Sequence, residues 1–165
     1  MCMMNKNVQM AMNGQIQVEQ NSSHLYLAMS AYCEGKNLKG FAHWLKIQSQ
    51  EETGHAMKLY QHLLDRGGKV ELKSIAAPGS DFGSPVELFE KVLAHEREIT
   101  AKINQLYETA LQEKDYPVQL LLHWFIEEQV EEESSAEEIV EKLRMIGDKG
   151  SAIVYMDKAL GKRTE

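Results

Sequence analysis

Proline placement constrains this chain more than any other feature. It occurs only at Pro78, Pro85 and Pro117, so residues 1–77 and 118–165 carry none. Inside a helix, proline removes a backbone donor and clashes with the preceding turn. Long stretches without it are free to stay helical. Within those stretches apolar residues recur at spacings of three and four, and strand-like alternation is almost absent.

The spacing predicts helices over about 5–33, 38–66, 85–113, 116–146 and 151–160. Glu34-Gly35-Lys36-Asn37, Gly67-Gly68 and Gly147-Asp148-Lys149-Gly150 supply the breaks. Glycine there relieves the left-handed backbone that commonly ends a helix. Ser84-Pro85 reads as an N-cap followed by proline in the first turn, with Glu87 placed to complete a capping box. Asp115-Tyr116-Pro117 restarts the chain in the same manner. Between them, Lys69–Lys73 is expected to be briefly extended before the turn at Ala77-Pro78-Gly79-Ser80-Asp81.

Four helices of about 27–30 residues far exceed the usual ~12 and would each span ~40 Å. Short turns make the first and second antiparallel, and likewise the third and fourth. The linker of about 18 residues between the pairs is long enough to run the length of a bundle. The expected fold is all-α: one domain over 1–165, a four-helix bundle with a long crossover between the second and third helices, and a short fifth C-terminal helix.

Composition agrees with a globular chain, 43% hydrophobic and 26% charged, with a net charge of -7. That balance offers no basic surface for nucleic acid. No apolar run approaches the ~18 residues a membrane span needs. The first fifteen residues mix Met with Asn and Gln and hold no apolar signal region, so a cytoplasmic location is expected. Cys2 and Cys33 form neither a disulfide scaffold nor a zinc knuckle; they read as a frayed-end thiol and a small buried hydrophobe.

The informative residues are the acidic ones on apolar stripes. Met12, Glu19, Tyr26 and Cys33 share one face of the first helix. Leu45, Gln48, Glu52, His55, Leu59 and Leu63 line the second. Phe89, Val92, Glu96, Ile99, Ile103 and Leu106 line the third. On the fourth the stripe runs Leu121, Phe125, Glu128, Glu132, Ser135, Ile139 and Leu143. Each helix therefore aims a carboxylate inward near its middle. Buried carboxylates lose hydration and repel one another. A divalent metal between them resolves both costs, and oxygen donors with few nitrogens suit iron or manganese better than zinc. Glu52 and His55, one turn apart, can share one metal with Glu19; Glu96 and Glu132 can serve a second, with Glu52 as bridge. If the helix phases were wrong, these acids would be a solvated surface on a metal-free scaffold.

At these positions the sequence resembles the ferritin family, specifically its non-haem prokaryotic members. The resemblance is carried by Glu19-Gln20-Asn21-Ser22-Ser23-His24-Leu25-Tyr26, Gln50-Glu51-Glu52-Thr53-Gly54-His55, Ala94-His95-Glu96 and Trp124-Phe125-Ile126-Glu127-Glu128-Gln129-Val130-Glu131-Glu132, and it covers essentially the whole chain. It implies a ferroxidase centre, with Glu19, Glu52 and His55 on one iron and Glu52, Glu96 and Glu132 on the other. Tyr26 would stand beside the centre and Gln129 near the dioxygen side. Glu51, Glu128 and Glu131, with Glu132, match a nearby third iron site; Glu51 and Glu131 read equally well as surface charges.

The resemblance further implies oxidation of Fe(II) by dioxygen and storage of ferric oxyhydroxide inside a hollow homo-oligomer of about 24 chains. Relatives with two E-x-x-H motifs carry a second histidine on the fourth helix, where this chain has Glu128-Gln129-Val130-Glu131-Glu132. The two metal positions are therefore expected to differ. Met57 stands nearest to the place of a haem-binding methionine, but methionine at helical spacing is ordinarily core, and no haem is expected. A small DNA-protecting cage would place its ligands between subunits and carry a basic tail, whereas only Lys162 and Arg163 are basic near this end.

Overall fold

The computed structural model describes residues 4–147 and 150–164. Cys2, and Asp148 and Lys149 of the last break, lie outside the described residues. Five helices follow in order: α1 Lys6–Gly35, α2 Lys39–Asp65, α3 Pro85–Gln112, α4 Tyr116–Ile146 and α5 Gly150–Leu160. α1 packs along α2, α3 along α4, and α1 also meets α3; α5 lies against α2 and α4.

The helix ends follow local chemistry. Ser84 accepts from the backbone N–H of Glu87 at 3.4 Å, and the Glu87 carboxylate accepts from the Ser84 N–H at 2.7 Å, closing the capping box. Asp115 caps α4 by accepting from Val118 N–H at 3.2 Å. It also pairs with Arg66 at 2.8 Å, which ties the start of α4 to the end of α2. α2 ends at Asp65, and just beyond it Gly67 turns the chain at a φ of 68°, a conformation with little steric cost for glycine. α1 runs two residues further than expected, to Gly35, and Asn37 takes the left-handed turn at φ 60°.

The crossover carries neither helix nor strand over residues 68–79. Residues 69–73 pair with no strand. Instead their backbone is bound by side chains on α1. Lys69 N–H donates to Gln9 Oε1 at 2.9 Å; Asn13 donates to Lys69 O at 2.9 Å and accepts from Glu71 N–H at 2.7 Å. Gln17 donates to Ser74 O at 2.8 Å, and Asn21 accepts from Ala76 N–H at 2.9 Å. Gln9, Asn13, Gln17 and Asn21 stand four residues apart, so they form one amide stripe facing the crossover. An extended segment with no sheet neighbour satisfies its polar groups this way.

The core consists of two hydrophobic clusters. One, around Met29, Phe41, Trp44, Phe89 and Leu143, lies toward α5. The other, around Val8, Met12, Leu63, Ile103, Leu122 and Phe125, lies toward the opposite end. Buried polar side chains include Gln15, Glu19, Ser22, Gln48, Glu52, His55, Glu96 and Gln129, from the middle stretches of the four long helices. The α2 and α4 backbones nowhere approach within 8 Å, Cα to Cα, among the described residues.

The stripe expected on α4 needs a correction. Ser135 is exposed, and Leu121, Glu128 and Glu132 are only half-buried. The fully buried line runs through Val118, Leu122, Phe125, Gln129, Ala136, Val140 and Leu143. The acidic line sits beside it on the helix, at the edge of the core. Half exposure lets Glu128 keep partial hydration, which a fully buried carboxylate would lose.

Candidate metal centre

Glu19, Glu52, His55 and Glu96 are all at least 95% buried and come from three different helices. Ligand-type atoms of Glu19, Glu52 and His55 fall within 4.8 Å of one another. Those of Glu52, Glu96 and Glu132 do the same, so Glu52 belongs to both groups. A third grouping joins His55 to Glu128 and Glu132. Helical spacing explains the first arrangement: Glu52 and His55 are one turn apart on α2, and Glu19 faces them from α1.

The carboxylates are held by neighbouring donors. Gln15, one turn before Glu19, donates to Glu19 Oε1 at 2.7 Å. Gln48, one turn before Glu52, donates to Glu52 Oε1 at 3.2 Å and also to Glu132 Oε2. Tyr26, fully buried, donates its phenolic proton to Glu96 Oε1. Gln129 donates to Glu96 Oε2 at 3.3 Å and to the Glu96 carbonyl at 3.2 Å. His55 packs edge-on against Trp124 and Phe125, with ring centroids 5.3 and 5.8 Å away.

Two oxygens are left over. Glu19 Oε2 and Glu52 Oε2 are buried and have no hydrogen-bond partner. They lie 3.9 and 3.6 Å from His55 Nδ1. An orphaned buried carboxylate oxygen costs about 1–3 kcal/mol or more. Two of them converging on one imidazole nitrogen make an oxygen-and-nitrogen donor set that suits a cation.

Electrostatics point the same way. Burial pushes the carboxyls of Glu19 and Glu52 well above the usual range. Glu52 adds to the effect on Glu19, while Glu96 and Glu132 add to that on Glu52. Burial also raises Glu96, against the lowering effect of the Tyr26 and Gln129 donors. Glu132 is pushed up to about 8 by burial, then by Glu96 and Glu51. The Tyr26 phenol is raised by burial and by the charge of Glu96, which keeps it a neutral donor. Carboxyls raised in this way keep their protons to higher pH, and a metal ion binding there would have to displace them.

Beside this cluster lies a pocket of about 400 Å³, lined by Trp44, Glu51, Glu128, Glu131, Glu132, Ser135 and Arg163. All four residues of the expected third site meet there. Glu51 is not free in it, because it is paired with Arg163. Met57 is half exposed, on the outside of α2.

Residues 9–146 match the ferritin-like domain family. The chain belongs to the ferritin family. Among its relatives is the bacterial non-heme ferritin of Staphylococcus aureus (strain USA300), 41% identical over 162 residues and covering 98% of each chain. That of Bacteroides fragilis (strain 638R) is 43% identical, covering 98% of this chain and 100% of the relative. Among solved structures, the open-pore ferritin of the hyperthermophilic archaeon Archaeoglobus fulgidus superposes with a TM-score of 0.97 at 43% identity, over 99% of this chain and 100% of that one. A closed form of that ferritin, engineered by mutagenesis, gives 0.96. Family membership and the buried cluster together make iron storage with ferroxidase activity the function of this ferritin.

Four neighbours of the site were not among the residues expected from sequence. Gln15 and Gln48 each precede a buried glutamate by four residues, and Gln48 stands on the buried stripe; a buried amide one turn from a buried acid is the signal that could have found them. Trp124 braces His55 and carries Lys58 Nζ 3.8 Å over its own ring. Arg163 had no local signal, since it reaches the site only by way of α5.

Proposed function

We propose that Glu19, Glu52 and His55 hold one Fe(II), that Glu52, Glu96 and Glu132 hold a second, and that dioxygen oxidises the pair. The two orphaned oxygens, Glu19 Oε2 and Glu52 Oε2, facing His55 Nδ1 carry this reading, because one cation placed among them would satisfy both. Carboxylate ligands stabilise the ferric over the ferrous state, and their labile ligation releases the product. Two Fe(II) give up two electrons and reduce dioxygen to hydrogen peroxide; hydration of the ferric ions to oxyhydroxide releases protons. Tyr26 and Gln129 position Glu96 through hydrogen bonds. Glu51, Glu128, Glu131 and Glu132 form the third iron site, beside the pair.

One bundle cannot enclose a mineral. The reading is that the chain is a single domain over 1–165 and that about 24 copies form a cytoplasmic cage. Val154 and Tyr155 on α5 are 67% and 78% exposed, an apolar face that further subunits would cover. No helix among the described residues is long and apolar enough to cross a membrane. Sedimentation velocity after aerobic loading with Fe(II), following protein and iron absorbance together, tests the whole reading. Iron that travels with a particle of about 24 chains supports it. Iron that precipitates apart from a monomer or dimer overturns the cage.

A further inference from the structure

The acidic pocket beside the diiron cluster already contains a cation from the chain itself. Arg163 Nη2 pairs with Glu51 Oε2, and its Nη1 donates to Gln48 Oε1 at 2.9 Å. The guanidinium stacks 4.4 Å over the Trp44 ring, and its side chain is only 17% exposed.

The fold places this residue rather than leaving it to chance. Asp157 on α5 accepts from the backbone N–H groups of Gly40 and Phe41, at 2.8 and 3.0 Å, at the start of α2. A carboxylate there suits the positive end of the helix. The approach is so close that a Cβ on Gly40 would lie 1.6 Å from the Asp157 carbonyl oxygen. Beyond α5, His43 Nε2 holds the Arg163 carbonyl oxygen at 2.8 Å. The tail is thereby pinned along α2, with its one arginine turned into the pocket.

Arg163 touches the diiron cluster through one intermediary. With Gln48 Oε1 accepting from the guanidinium, the amide must present its NH₂ to the other side. That group donates to Glu52 and Glu132. The same arginine that occupies Glu51 thus fixes the amide orientation that holds two cluster carboxylates.

We propose that Arg163 is a displaceable internal cation: it occupies Glu51 while the pocket holds no metal, and a divalent ion entering there must break the Arg163–Glu51 pair. The inference rests on the third-site reading above and adds its regulation. Arg163 weakens metal binding in the pocket, so that iron passes through rather than lodging beside the diiron pair. It is a positioning residue and ligates nothing.

The test uses Zn(II), a redox-inert probe, titrated calorimetrically into the metal-free assembled protein, with bound metal counted by equilibrium dialysis. The wild-type chain should show two tighter ions and one weaker ion per subunit. Arg163→Gln removes the charge and keeps a polar side chain. It should tighten the weaker ion by about tenfold, the scale of one nearby like charge in a half-exposed pocket, and leave the other two within about threefold. Arg163→Lys should restore weak binding. Glu51→Gln should remove the weaker ion in either background. If Glu51→Gln removes that ion but Arg163→Gln leaves its affinity unchanged, the third site stands and the role of Arg163 is overturned. If no ion responds to Glu51→Gln, the third-site reading fails and the proposal fails with it. A structural tail anchor would lower the thermal midpoint of Arg163→Gln without tightening Zn(II), and that outcome also overturns the proposal.

Discussion

Glu52 Oε2 lies 3.6 Å from His55 Nδ1, one helical turn away, and neither protein donor nor neighbouring amide satisfies it. The oxygen is held where a cation belongs. A residue kept in that state trades stability for function. Glu52→Gln should therefore abolish tight divalent binding and cut the ferroxidase rate at least about 100-fold. It should also stabilise the metal-free protein, because the new amide can donate to the orphaned Glu19 Oε2. A gain of about 1 kcal/mol corresponds to a rise of roughly 2–4 °C in thermal midpoint. Calorimetry with and without Zn(II) reads both effects. Unchanged metal affinity, or a lower metal-free midpoint, would contradict the assignment.

The raised carboxyls make a pH prediction with a definite sign. Glu132 titrates near 4.5 when unperturbed and at about 8 in the folded protein. Between those values the folded chain binds more protons than the unfolded one, so stability falls as pH rises. The contribution is fully present below about 4.5 and lost as pH passes through about 8; Glu19, Glu52 and Glu96 are raised too and act in the same direction. Denaturant midpoints of metal-free protein should therefore decline from pH 5 to pH 8, and saturating Zn(II) should flatten the decline.

Metal binding must also expel those protons. Anaerobic Zn(II) addition at pH 7 should release about one proton or more per subunit from the carboxyls, and fewer at pH 9. Calorimetry in buffers of different ionisation enthalpy measures the number. Release that is zero at pH 7 would mean that the cluster is ionised before metal arrives.

Tyr26 donates to Glu96 Oε1 from a fully buried position. Tyr26→Phe preserves the ring and leaves that oxygen without its donor. Groups that orient a ligand commonly contribute 10- to 100-fold in affinity. We expect about a tenfold loss at the ion held by Glu52, Glu96 and Glu132, and little change at the ion held by Glu19, Glu52 and His55. Equal loss at both ions would show that Tyr26 does not act through Glu96.

The crossover offers a prediction independent of metal. Asn13 is 95% buried, donates to Lys69 O and accepts from Glu71 N–H. Asn13→Ala removes both hydrogen bonds to the exposed crossover backbone, a loss of about 0.5–1.5 kcal/mol for each. Urea unfolding should show that loss, while Zn(II) affinity at the cluster stays unchanged.

The sequence alone determined the helices, because proline placement, breaks and caps are local. Ser84, Pro85 and Glu87 marked the start of α3, and the observed capping box forms from those residues. The inward line Glu19, Glu52, His55 and Glu96 was legible for the same reason: a residue's face on a helix follows from its spacing. Local rules went wrong where the partner is distant. Local spacing predicts only a brief extended stretch at residues 69–73 and carries no sign that the amide stripe of α1 binds its backbone. Ser135 shared the spacing of the α4 stripe but faces solvent, since the edge of a buried face depends on what packs against it. Only tertiary structure decided that Glu19 Oε2 and Glu52 Oε2 are left without donors, and that Arg163 reaches Glu51 from 112 residues away. Spacing fixes direction along one helix; whether two groups meet depends on how separate helices pack, and short-range pattern carries no record of that.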